Sequence, residues 1–273
     1  MKWMKKNWSS IILVLVFFLG LSLLLYPSIS DYWNSFHQTR AIASYAESVA
    51  EIEDDQYEEM LEAARQYNEK LAKNGQNWVM TDEELEEYNQ ILNVGGTGIM
   101  GYIEIPDINV SLPIYHGTDE AVLQIAIGHI AGSSLPIGGK GTHTVISGHR
   151  GLPSAKLFTN LDQLKEGDLF IIRVLDETMT YEVDQIRIVE PQDLSELAIE
   201  EDQDLCTLIT CTPYGVNSHR LLVRGHRVAN VEKNTIRAVA DAQQLDSLIV
   251  GSLYAVPILA VMLIWILIKY RKR

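Results

Sequence analysis

Two long apolar runs lie near the ends of this chain. No charged residue occurs from Trp8 to Tyr26, and none occurs from Leu248 to Ile268. A helix of about 20 apolar residues crosses a hydrocarbon core of about 30 Å, so we predict membrane-spanning helices at 8–27 and 248–268. A cleaved signal peptide is the alternative for the first run, but the following "YPSISDYW" is a poor cleavage site.

Basic residues flank both runs on their outer sides. They are Lys2, Lys5 and Lys6 before the first run, and Lys269, Arg271, Lys272 and Arg273 after the second. Cationic flanks stay on the cytoplasmic side, so we predict cytoplasmic tails at 1–7 and 269–273 in the cell membrane. The residues between the two spans are then extracellular. A removable tail signal is the alternative for the second run, but its basic flank is typical of a stop-transfer segment.

Helical periodicity extends over 28–93, which we predict to be a helical extension. Asp31 is expected to cap a helix through "RAIASYAESVAEI", and a second helix follows in "YEEMLEAARQYNEKLAK". The Asn-Gly pair at 74–75 should end that helix. Thr81 and Glu84 have capping-box spacing and predict a third, short helix. We assign no chemistry to the charges of this region, which are typical of a solvated face.

Short alternating segments punctuated by glycine predict a β domain at 94–230. Strands are expected in "GGTGIMGYIEIPDINVSLPIYHG", "THTVISGH", "DLFIIRVLD", "MTYEVDQIRIVEP", "CTLITCT" and "HRLLVRGHRV". After the first of these, "DEAVLQIAIGHIAGSS" indicates a helix and a loop. Many short strands favour a closed barrel or a sandwich, and a linker follows at 231–247. The predicted fold class is mainly β, with a helical subdomain and two flanking transmembrane helices.

The segment between the two apolar runs is strongly acidic. It holds all 36 acidic residues and 15 of the 22 basic ones, which gives a net charge of −21. Nucleic-acid binding needs basic patches, so we exclude it. The same charge should keep the domain off anionic lipid headgroups. Its partners are expected to be basic or to carry lysines.

The chain has two cysteines, and their spacing argues against a disulfide. Cys206 and Cys211 are five residues apart in one predicted strand, so their side chains point to opposite faces. They would be about 16 Å apart, whereas a disulfide needs Cα atoms within about 7 Å. Cys211 stands just before the turn "TPYG", where a reactive thiol can meet another loop. We therefore take Cys211 as the candidate nucleophile and Cys206 as a core residue.

A cysteine nucleophile acts as a thiolate and needs a histidine or a cation beside it. His149 in "SGHRG" follows a predicted strand, with His129 and His143 as the alternatives. Arg220 follows Cys211 by nine residues, so the returning strand can bring it level with the thiol. His219 alternates with Arg220, so only one of them can face the cleft. The alternative for Arg220 is a surface salt bridge in an acidic domain.

Together these residues resemble a known family. "TLITC" at 207–211 resembles the T-L-x-T-C signature of sortases, the cysteine transpeptidases of Gram-positive cell surfaces, and "SGHRG" is similar to their histidine segment. The resemblance extends over roughly 95–230. With a helical extension and a C-terminal apolar run, the chain is most similar to class C, the pilin-polymerising sortases.

The resemblance implies a closed eight-stranded sortase barrel with Cys211 as nucleophile, His149 as proton donor and Arg220 as substrate clamp or oxyanion stabiliser. Supporting or substrate-binding roles are implied for Thr207, Thr210 and Ser147. The implied substrate is a pilin with an L-P-x-T-G-like sorting signal, cleaved between Thr and Gly, and the implied acceptor is a lysine of another pilin. We expect no cofactor and no metal, although some sortases are tuned by calcium.

Three questions stay open on the sequence. Class C sortases often carry a lid with an Asp-Pro-aromatic plug, but this chain has no Asp-Pro pair, and Trp78 in "GQNWVM" is the nearest counterpart. Trp78 could equally pack between helices. The same site could also serve a cell-wall-anchoring sortase with a peptidoglycan cross-bridge amine as acceptor. A non-catalytic surface scaffold with this fold is the third alternative.

Overall fold

The computed structural model describes residues 8–230 and, beyond them, only positions 257 and 261. The predicted linker at 231–247 and the tails at 1–7 and 269–273 lie outside the described residues. The same holds for the second predicted span at 248–268, apart from those two positions.

Helix α1 runs without interruption from Trp8 to Ala50. The prediction that a helix begins at Asp31 is wrong, because the carboxylate of Asp31 accepts a hydrogen bond from the backbone of Lys156 (2.8 Å) instead of capping a helix. Among the described residues, α1 is the one helix long and apolar enough to cross a membrane, a property that signal sequences share. The structure thus offers one candidate span and leaves the two-span prediction unconfirmed.

Two further helices follow, α2 at Asp54–Asn74 and α3 at Asp82–Gln90. The predicted break is confirmed, since α2 ends where Gly75 adopts a φ of +84°. The predicted capping box is also confirmed, because the Thr81 side chain accepts from the Glu84 amide and the Glu84 carboxylate accepts from the Thr81 amide. Helices α2 and α3 therefore frame a short non-helical segment, residues 75–80, which we call the connecting segment.

Eight strands close a barrel in the order β1-β2-β3-β4-β7-β8-β6-β5, as predicted. Their bounds are β1 Ile99–Ile105, β2 Val110–His116, β3 Ile127–His129, β4 Thr142–Ser147, β5 Leu169–Val174, β6 Glu177–Val189, β7 Asp204–Thr212 and β8 His219–Val228. Between β2 and β3, a one-turn helix, α4, spans Glu120–Leu123. The barrel positions the ends of β4, β7 and β8 beside one another.

Strand β3 was not predicted from the sequence. The segment that we interpreted as helix and loop contains α4, but it continues into a three-residue strand that pairs parallel with β2 and antiparallel with β4. Three residues are too few to show a strand period, so only the neighbouring strands determine this conformation.

Alternate residues of β4, β7 and β8 face opposite ways. Ile146, Leu208 and Val223 point into the main core and have no exposed surface. The other set contributes to a separate apolar cluster on the outside of the barrel, which Leu197 from the segment before β7 completes. Its members are Val145, Leu197, Ile209 and Leu222. We call this set the outer-face cluster. The register places Cys211 and Arg220 on the same outer face.

Candidate active site

Cys211 and Arg220 are directly opposite each other in the antiparallel pair β7–β8. Side chains at such positions share a face, with Cβ atoms about 5 Å apart. One guanidinium nitrogen of Arg220 donates to the carbonyl of His219 (3.1 Å) and, more weakly, to that of Asn217 (3.4 Å). Within residues 8–230, no carboxylate forms an ion pair with Arg220. The geometry favours a role beside the thiol over a surface salt bridge.

His149 reaches the same place from the parallel pair β4–β7. Ser147 is the register partner of Ile209, and the pairing continues because the Gly148 amide donates to the Ile209 carbonyl (3.0 Å). The buried Thr210 hydroxyl donates to the Gly148 carbonyl (2.8 Å). His149 is the next residue, and the same register continued by two residues would set it opposite Cys211. The segment after β4, the end of β7 and the start of β8 therefore lie side by side. They carry His149, Cys211 and Arg220, respectively.

Gly148 allows the close packing under this histidine. A Cβ atom at this position would lie 2.7 Å from both the Ile127 and the Phe158 side chains. Real Cβ atoms do not approach that closely, so a larger residue would displace the backbone just before His149.

The two alternative histidines are buried and engaged elsewhere. His129 has no exposed surface, the Tyr88 hydroxyl lies 2.8 Å from its Nδ1, and burial lowers the pKa of His129 to about 4. His143 is equally buried, with the Ala198 carbonyl 2.8 Å from Nδ1 and the Thr207 hydroxyl 2.7 Å from Nε2. Burial lowers the pKa of His143 as well. Neither ring can exchange a proton with a substrate.

His219 lies on the opposite face from Arg220, as strand parity predicted. Its register partner is Thr212, the neighbour of Cys211. Its ring contacts the Glu190 carboxylate (3.4 Å) and the Ser218 hydroxyl (2.8 Å). His219 is therefore outside the cluster formed by the three candidate residues.

The three proposed supporting residues have different surroundings. Thr207 is fully buried and bound to His143, so it can brace the strands but not touch a substrate. Thr210 holds the Gly148 carbonyl and so supports the start of the histidine loop. Ser147 is half-buried on the outer face, beside Ile209, where a bound peptide could reach it.

Both cysteines are unpaired, as predicted, and their environments differ. Cys206 has no exposed surface, and burial, aided by the nearby Asp204 carboxylate, raises the pKa of its thiol well above the usual range. A buried thiol that resists ionisation is a poor nucleophile. Cys211 is partly exposed at the strand end, so it is the thiol that a substrate can reach.

Arg150 was missed by the sequence reasoning. Its side chain is only 10% exposed, forms an ion pair with Asp162, and lies 3.4 Å from the Thr212 hydroxyl. Its guanidinium also stands over the Tyr214 ring at 5.9 Å. Arg150 directly follows His149, and Thr212 directly follows Cys211, so this contact links the segments that carry the candidate histidine and cysteine. Its position next to His149 in an acidic domain was the only signal in the sequence.

Trp78 lies over the face that carries the candidate site. It is half-buried and packs against the outer-face cluster that includes Ile209. The connecting segment is held just before Trp78, since the Gln76 side-chain amide donates to the Leu197 carbonyl (2.7 Å) and the Asn77 backbone closely approaches Gly132. Of the two readings left open, the contacts place Trp78 against the barrel and not between helices.

Among the residues that the structure describes, no three His, Cys, Asp or Glu side chains are grouped so that they could hold an ion.

Comparison with known proteins gives consistent matches. The family model described as "Sortase domain" matches residues 103–228. Sortase C1 from Streptococcus agalactiae is 54% identical with a TM-score of 0.69, and the match covers 70% of this chain and 100% of that one. Sortase C from Streptococcus pneumoniae is 43% identical with a TM-score of 0.64, with 71% and 98% covered.

A match to a curated protein is more partial. Sortase D of Bacillus subtilis is 32% identical over 131 residues, which are 47% of this chain and 63% of that relative. The match thus spans less than two thirds of the relative's length.

Proposed function

This chain belongs to the sortase family, whose members are cysteine transpeptidases, and from that premise we propose that it polymerises pilins. The observation that carries the proposal is the cross-strand pairing of Cys211 with Arg220, beside the loop of His149. Among the similar structures, that of S. pneumoniae sortase C is described in terms of pilin substrate specificity. The proposed substrate is a pilin with an L-P-x-T-G-like sorting signal.

The first half-reaction forms a thioester. The Cys211 thiolate attacks the carbonyl carbon of the Thr–Gly bond, and negative charge develops on the carbonyl oxygen. Arg220 holds that oxygen with its guanidinium donors. As the C–N bond breaks, His149 donates its proton to the departing glycine amine. The products are a thioacyl link between Cys211 and threonine and a free glycine N-terminus.

The second half-reaction forms an isopeptide bond. A lysine ε-amine of another pilin attacks the thioester carbon, and the now neutral His149 accepts the proton that the amine loses. The C–S bond then breaks and returns Cys211 as a thiolate. A strongly acidic domain is suited to a lysine-bearing acceptor, since opposite charges speed encounter.

The acceptor can be identified by competition. The full chain in detergent would receive an L-P-x-T-G peptide with equal amounts of a lysine-bearing pilin peptide and triglycine. We expect mass spectrometry to show the cleaved peptide joined to the lysine ε-amine. Preferential transfer to triglycine would support the cell-wall-anchoring alternative, and absence of both cleavage and adduct would support the scaffold.

We place the enzyme at the cell membrane, anchored by residues 8–27 of α1, with the barrel outside the cell. The support is the apolar character of α1 in the structure together with the basic residues that precede it in the sequence. The second anchor at 248–268 is part of the proposal on sequence grounds alone.

The connecting segment, residues 75–80, is proposed to act as a lid over the cleft. Its support is the packing of Trp78 on the outer-face cluster, which shares a face with Cys211. A peptide that lies along this face would have to displace Trp78. The lid therefore lowers the fraction of enzyme that can bind substrate.

Removing the Trp78 ring should accelerate thioester formation. Loss of about 1.4 kcal/mol of lid packing would increase the open fraction about tenfold. The measurement is the initial rate of peptide adduct formation by Trp78→Ala, followed by intact mass. Val79→Ala is the matched control, because Val79 is the next residue and is 86% exposed. An unchanged rate in Trp78→Ala would contradict the lid.

A further inference from the structure

The segment after His149 is a loop closed by its own hydrogen bonds. The Phe158 amide donates to the His149 carbonyl (3.1 Å), and the Gly151 amide donates to the Thr159 hydroxyl (3.1 Å). Phe158 itself is fully buried in the core. Residues 150–157 therefore form a loop, which we call the excursion, and its two ends meet at the backbone of His149. A shift of the excursion would be transmitted to the histidine through these ends.

Two side chains of helix α1 form hydrogen bonds with the far side of the excursion. The Asn34 side-chain amide donates to the Ser154 carbonyl (2.7 Å), and the Asp31 carboxylate accepts from the Lys156 amide (2.8 Å). The second carboxylate oxygen of Asp31 is 3.8 Å from the Lys156 ammonium. Residues three apart lie on one side of a helix, so Asp31 and Asn34 act as a pair.

One residue between the two attachments is strained. Leu157 has a φ of +39°, in the left-handed region that a bulky residue rarely adopts. It lies between Lys156, which Asp31 holds, and Phe158, which bonds to His149. Such conformations persist where the surroundings enforce them, and they cluster at functional sites. The attachment to α1 is therefore part of what maintains the shape of this loop.

From these contacts we infer that Asp31 and Asn34 are positioning residues for His149, so that the N-terminal helix supports the active site through this loop. The inference rests on the proposed function, because it takes His149 as the proton donor to the leaving amine. Neither residue contacts the cleft. They act through the excursion, and their effect should appear in the step that needs a well-placed proton.

The test compares two leaving groups on the full chain in detergent. The amide peptide needs a proton from His149 when its C–N bond breaks, whereas a thioester analogue releases a thiolate that needs none. The rate of acylation is measured in a single turnover by intact mass, and we expect Asp31→Ala and Asn34→Ala to lower it about tenfold for the amide, because a displaced His149 donates its proton less well. The acylation rate for the thioester should stay within about twofold, and the second half-reaction, in which His149 acts as a base for both substrates, does not enter this measurement.

Two variants serve as controls. Asp31→Asn keeps an oxygen that can accept from the Lys156 amide, so it should restore the amide rate. Gln38→Ala removes a different tether of the same helix, a bond to the Ile125 carbonyl (2.7 Å), and should leave both rates unchanged. Thermal unfolding of each variant reports whether the fold is intact.

The outcomes separate the inference from the function. Equal losses on amide and thioester, or a loss in Gln38→Ala of the same size, would show general destabilisation and overturn the inference. Unchanged amide turnover in Asp31→Ala and Asn34→Ala would also overturn it. Failure of the unmodified enzyme to react with either substrate would contradict the proposed function instead.

Discussion

Replacing Cys211 with alanine should abolish the covalent adduct that we expect an L-P-x-T-G peptide to form with this protein. Alanine has no nucleophilic atom, so no thioester can form, whatever the state of His149 and Arg220. The measurement is the intact mass of the full chain after incubation with the peptide. The unmodified enzyme should gain the mass of the peptide up to its threonine, and Cys211→Ala should gain nothing.

Cys206→Ala is the matched control for this experiment. Cys206 lies on the same strand but has no exposed surface, and its thiol pKa is raised by burial. Its removal should cost on the order of 1 kcal/mol of stability and leave the adduct intact. Equal loss of the adduct in both variants, or an adduct that persists in Cys211→Ala, would contradict the assignment of the nucleophile.

Arg220→Lys should reduce turnover about a hundredfold to a thousandfold, the usual cost of removing an oxyanion donor. A lysine keeps the charge but lacks the planar set of guanidinium donors. It therefore cannot bind the substrate carbonyl oxygen and the His219 and Asn217 carbonyls at the same time. Steady-state kinetics with the sorting-signal peptide separate the two roles. Loss in kcat indicates oxyanion stabilisation, whereas a rise in KM indicates a substrate clamp.

Arg224→Lys tests whether any arginine of this strand would give the same result. Arg224 shares the strand and face of Arg220, but its guanidinium is engaged by Asp184 at 3.1 and 3.0 Å and by Glu200 at 3.2 Å. We expect a lower unfolding temperature and nearly unchanged turnover. Near-normal turnover in Arg220→Lys would instead reduce Arg220 to a structural residue.

The arrangement around Cys211 could be predicted because it depends on local rules. A strand, a short turn and a returning strand bring Arg220 opposite Cys211, and parity alone separates Arg220 from His219. The strand pattern left a barrel or a sandwich open, and the resemblance to sortases selected the barrel. The capping box of α3 could be predicted from the spacing of Thr81 and Glu84, because both residues lie within one turn of the helix start.

The features that could not be predicted depend on distant partners. Strand β3 exists because β2 and β4 flank it, and three residues carry no period of their own. Asp31 has the right chemistry for a helix cap, yet its partner is Lys156, 125 residues away. Arg150 likewise finds Asp162 and Thr212 only in the folded state. The residues alone left His129 and His143 open beside His149, and the resemblance to sortases selected His149; in the structure, burial sets the other two histidines apart.

The uninterrupted helix α1 couples its own tilt to the position of the barrel. Its 43 residues extend about 65 Å, at about 1.5 Å per residue, roughly twice the thickness of a bilayer core. Asp31, Asn34 and Gln38 in its outer part form hydrogen bonds with loops of the barrel domain. A change in the tilt of the helix is therefore transmitted to the barrel. In the proposed topology, a thicker or thinner bilayer changes the tilt of the helix and swings the cleft with it. With that anchoring, membrane thickness would set the height above the bilayer at which the proposed cleft meets its substrate.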